Sequence, residues 1–65
     1  MTRNDKLREL LNDKWRTGNT VDILGDDIHI KGIVDIVYNT SDKVVIYVKY
    51  IGYIEIPFKA ITSVI

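Results

Sequence analysis

The chain has 65 residues, enough for one domain and too few for an enzyme with a cleft between two halves. Hydrophobic residues make up 46% and charged residues 28%, with one proline and four glycines, which excludes a wholly disordered tail. The absence of cysteine excludes disulfides and thiolate metal sites, a single histidine argues against a histidine-rich metal centre, and nine basic against nine acidic side chains leave no net field to draw the monomer onto nucleic acid or acidic lipid.

The first ten residues, MTRNDKLREL, carry charges throughout and so lack the apolar core of a signal peptide, and no later segment reaches membrane-spanning length. The expectation is a cytoplasmic protein with no membrane association, no cofactor and no bound metal. Thr2 and Asp5 stand in capping-box spacing, and Leu7, Leu10, Leu11 and Trp15 follow at helical intervals. This predicts an amphipathic helix over 2–17, anchored by those four residues, with Lys6, Arg8, Glu9, Asp13 and Arg16 on a solvated face and Gly18-Asn19 as a left-handed stop.

From Thr20 the period changes to two. Eleven Ile and seven Val lean the composition towards sheet. Thr20–Leu24 alternates, Gly25-Asp26-Asp27 signals a turn, and Ile28–Val37 is a long second strand. Ile28, Ile30, Gly32, Val34 and Ile36 share one face of it, and Gly32 in mid-strand marks a bulge, a bend or a close backbone approach. Tyr38–Asp42 is a polar turn, and Lys43–Tyr50 is a third strand, apolar on both sides and therefore expected to be central and covered twice. Tyr53–Pro57 is a fourth strand, Phe58–Ala60 a tight turn and Ile61–Ile65 a last strand. The predicted architecture is mostly β in a single domain spanning 1–65, a helix followed by a small five-stranded barrel over 20–65. A core of this size without staples predicts homo-oligomerisation.

The order of elements is similar to that of the Sm-like proteins, a variant of the SH3-like roll. Val21–Leu24 with Ile28–Val34 around Gly32 resembles the first Sm motif, and Ile56–Ile65 with its Lys59-Ala-Ile-Thr-Ser run resembles the closing turn and strand of the Hfq-like bacterial RNA chaperones. Lys59 stands where that branch has a histidine, and Tyr38 where it has an acidic residue. The Gly32–Ile36 segment and the same terminal stretch also resemble the YolD-like proteins of Gram-positive bacteria and their phages. The Sm-like resemblance implies a ring that binds RNA or a nucleotide through two pore-side loops, at the positions of Tyr38, Asn39, Phe58 and Lys59. The chemistry would be stacking on an aromatic face, amide bonds to a base edge and ammonium contact with phosphate.

A second reading from a different class stands beside it. Tyr47, Tyr50 and Tyr53 cluster around Gly52, and tyrosines are good interface anchors, so a protein-interaction module that binds and modulates another protein fits equally. Cross-strand packing within one sheet is the structural alternative for these three residues. Asp26-Asp27 is a bare pair without the spacing of a calcium loop, and His29 has no nucleophile, base or second ligand beside it in sequence, so no catalytic residue is assigned.

Overall fold

A computed structural model describes all 65 residues. The first element is a helix, α1 (Arg3–Thr17), and its start is the capping box expected from the sequence. Asp5 N donates to Thr2 Oγ1 at 3.1 Å while Thr2 N donates to Asp5 Oδ2 at 3.2 Å, so two otherwise unpaired N–H groups are satisfied reciprocally. The hydrogen bond from the Thr2 backbone N–H foremost, then the Thr2 side chain, holds the Asp5 carboxyl below its ordinary pKa, with a smaller contribution from the Arg8 charge. Gly18 ends the helix in the left-handed conformation (φ 70°), its N–H donating to Lys14 O at 3.0 Å.

Five strands follow: β1 (Thr20–Leu24), β2 (His29–Val37), β3 (Lys43–Val48), β4 (Gly52–Pro57) and β5 (Ser63–Val64), with a 3-10 turn at Phe58–Ala60 between the last two. They form one antiparallel sheet in the order β4-β3-β2-β1-β5. The number and order of strands are those expected, but the sheet does not close into a barrel: β4 and β5 are its two edges. α1 lies on its own sheet, packed against β2, and places Leu7 and Leu11 in a core with Val21, Ile23, Val34, Val44, Ile46, Ile56, Phe58 and Ile61. Burying side chains of this size contributes about 1.5–3 kcal/mol each. Leu10 and Trp15, expected as anchors, are instead exposed, Trp15 by 54%. Two leucines one turn apart are enough to seat the helix, because the sheet's inner face supplies the rest of the core. No helix is long and apolar enough to cross a membrane.

Gly32 marks a close backbone approach. A Cβ there would lie 2.3 Å from Tyr47 O and 2.7 Å from Ile46 Cγ2, inside any tolerable contact, so β2 and β3 can approach this closely only with glycine at that point. The bulge lies further along β2. Val34 pairs with Ile46 but Ile36 with Val45, so Asp35 is an extra residue in the ladder. Beyond it the pleat reverses: Val37 packs on the core and Ile36 points away, the opposite of strict alternation from Ile28.

β3 is central and covered on both sides only in part. Val44 and Ile46 are fully buried on the inner side; on the other side Val45 is also buried, whereas Tyr47 remains 40% exposed. The strand also ends earlier than alternation suggests. Ile51 N donates to Val48 O at 3.0 Å in a turn whose third residue, Tyr50, takes φ 70°, so Lys49–Ile51 is a hairpin loop.

Candidate functional site

The β2–β3 loop and the 3-10 turn, predicted to share one site, do meet, because Phe58 N donates to Asp42 O at 2.9 Å. The meeting is made by main chain and by arginines of α1. Arg8 donates from Nε to Tyr38 O at 2.9 Å and from Nη2 to Ser41 O at 3.2 Å and Asp42 Oδ1 at 2.6 Å, while its guanidinium carbon lies 5.1 Å from the Phe58 ring centroid. Arg3 donates to Phe58 O at 3.2 Å and also to Ile61 O. Arg8 is therefore not part of a solvated face; it clamps the helix to both segments. Its position beside the Leu7–Leu11 stripe was the sequence signal, since a long cation flanking an apolar stripe can reach across it with its stem buried.

This arrangement removes one member of the predicted ligand set. Phe58 is 0% exposed, with the core around it and Arg8 over its ring, so it offers no face to a base. Tyr38 is half-buried, with Lys43 Nζ 5.2 Å from its ring centroid. Asn39 and Lys59 are exposed.

The sheet's outer side carries a different constellation. The register sets Tyr53 beside Tyr47, Tyr47 beside Ile33 and Ile33 beside Thr20, a row across four strands. The Tyr47 and Tyr53 ring centroids are 5.2 Å apart at an interplanar angle of 56°, the tilted geometry aromatic pairs prefer. The next row is Glu55, Val45 and Ile36. Because the Asp35 bulge reverses the pleat, Ile36 joins Ile33 on this side, and Ile33, Ile36, Tyr47 and Tyr53 form one exposed apolar patch around Val45, which is itself buried. Trp15 of α1 lines a separate groove with Asp35, Ile36 and Val37. Tyr50, the third residue of the predicted tyrosine cluster, stands apart at the hairpin tip, 92% exposed, with Lys49 Nζ 5.1 Å from its ring centroid.

The patch has charged borders. At one end Lys43 pairs with Glu55 at 3.3 Å. At the other, Thr20, Lys31, Gly32, Ile33, Tyr47, Val48 and Lys49 enclose a groove of about 520 Å³. Lys31 faces Asp22 across the β1–β2 ladder, yet Asp22 Oδ1 lies 3.1 Å from His29 Nε2, and neither Lys31 nor Lys49 has an ion pair. Comparison with protein-family models, curated proteins and solved structures gives no match, so the function is argued from this geometry.

Proposed function

We propose that this chain is a small, non-catalytic interaction module that binds another protein through the outer side of its sheet. The observation that carries the reading is the exposed apolar patch formed by Ile33, Ile36, Tyr47 and Tyr53, brought together from three strands on the outer side of the sheet around the buried Val45. Contiguous apolar surface on a small soluble domain marks an interaction site, and tyrosines supply buried area while keeping a hydroxyl for a polar partner. Affinity capture with the wild type and with a Tyr47→Ser/Tyr53→Ser variant, followed by binding of the purified candidate, tests it. A protein retained by the wild type and lost by a variant that melts at the same temperature supports the reading. Equal retention overturns it.

A ring that binds RNA or a nucleotide is the second reading, favoured by the two open sheet edges at β4 and β5, where strand addition between copies would complete the hydrogen bonding. Its ligand contacts would rest on Asn39, Lys59 and the exposed part of Tyr38. Native mass spectrometry separates the two readings: a closed ring with added nucleotide mass favours the second, and a monomer or dimer without added mass favours the first.

A further inference from the structure

Lys31 and Lys49 are exposed cations without an ion pair, Lys49 lying over the Tyr50 ring. Each lies two residues from the Ile33–Tyr47 pair, one on β2 and one just past the end of β3, and both line the same groove with no acidic side chain among its walls. Asp22, opposite Lys31 on the ladder, makes its side-chain contact with His29 and no ion pair with Lys31, so both ammonium groups are open to an anion. The hydrophobic lining of the groove is Ile33, Tyr47 and Val48. A ligand that pairs with both ammonium groups must be anionic, and one that also covers the exposed Ile33 and Ile36 must present apolar side chains.

Resting on the docking reading above, we infer that the partner's docking segment is an acidic amphipathic peptide, whose carboxylates pair with Lys31 and Lys49 while its apolar side chains cover Tyr47, Ile33 and the row beyond. A polynucleotide fits less well. Two cations on a chain of zero net charge give little counterion release, and a sugar-phosphate backbone has nothing to bury against Ile33 and Ile36. Charge complementarity of this kind selects the partner and speeds encounter more than it adds affinity.

The test uses amide chemical-shift mapping of the intact chain with two short synthetic peptides. They share leucines on one helical face and differ only in carrying glutamate or lysine at every polar position; a single-stranded oligonucleotide is the third probe. The expected result is movement of the Lys31, Ile33 and Tyr47 amides with the acidic peptide alone, and binding about tenfold weaker for a Lys31→Gln/Lys49→Gln variant, as loss of two rim ion pairs implies. A second variant, Lys49→Glu, should raise the melting temperature by placing opposite charges across the groove while also weakening the acidic peptide, a combination that a merely solvated lysine would not give. Equal response to both peptides overturns the acidic preference and leaves the docking face standing. Movement with the oligonucleotide alone overturns the peptide as the ligand. If neither peptide moves these amides the inference fails, and the Tyr47/Tyr53 capture experiment then decides separately whether the face docks protein at all.

Discussion

Replacing Arg8 with alanine should cost more than any other exposed-looking charge in the chain. The side chain is only 18% exposed and makes two hydrogen bonds to main-chain carbonyls, a close ion pair with the half-exposed Asp42, a longer one with Asp5 at 3.9 Å and a cation–π contact with a buried ring. At about 1 kcal/mol for each carbonyl bond, ~0.5 kcal/mol for the screened Asp42 pair and ~0.5–1 kcal/mol for the ring, the loss is about 3 kcal/mol. For a domain of this length that corresponds to a fall in melting temperature of roughly 12–24 °C. Urea unfolding followed by far-UV circular dichroism in the cold would measure it, and Arg8→Lys, which keeps the charge and loses the planar fork, should fall between. Arg16→Ala is the matched control: its pair with Asp13 is exposed on both sides, so the change should stay within about 0.5 kcal/mol. A loss below about 1 kcal/mol for Arg8→Ala would refute the clamp and return Arg8 to the solvated face.

Gly32→Ala should destabilise by about 3 kcal/mol in urea titrations, because its Cβ would meet a main-chain oxygen that cannot rotate away; full tolerance would show that the strands are not so close. Tyr50→Gly should stabilise by about 1 kcal/mol, since an exposed β3–β4 hairpin tip at φ 70° disfavours a side chain, and an unchanged unfolding midpoint would refute the left-handed turn. The depressed Asp5 carboxyl contributes stability that is complete above the ordinary carboxylate pKa of roughly 3.9 and is lost as pH falls through its lower folded value. Helical signal should therefore decline at the acid end in the wild type, and Asp5→Asn should flatten that limb in a circular-dichroism titration while lowering stability at neutral pH.

The parts of the fold legible in the sequence were those set by local chemistry. Thr2 and Asp5 announced the helix start because a capping box is defined by neighbours three apart, and Gly18 announced its end for a similar reason. Thr20–Leu24 and Tyr53–Pro57 were legible as strands because alternation and flanking turn residues agree there, and the second begins one residue earlier, at Gly52. The end of β3 was not, because Lys49–Ile51 contains no glycine, proline or asparagine and the apolar alternation runs straight through a turn that Tyr50 makes against its own preference. Ile36 was placed on the core side because a bulge is a property of two strands, and no residue near Asp35 signals one. The outer apolar patch was half legible: two of its tyrosines were singled out, but Ile33 and Ile36 have opposite parity in the sequence and share a side only through the bulge. Arg8 was missed because helical periodicity locates a residue on the cylinder but does not tell how far its side chain reaches.

The extra residue in β2 also governs which insertions and deletions the chain can survive. Removing Asp35 would return the strand to unbroken alternation, turn Ile36 into the core and Val37 out to water, and draw the Tyr38 carbonyl one residue away from the Arg8 guanidinium. A single-codon deletion at that point would thus rewrite the outer apolar patch, the interior and the helix attachment together.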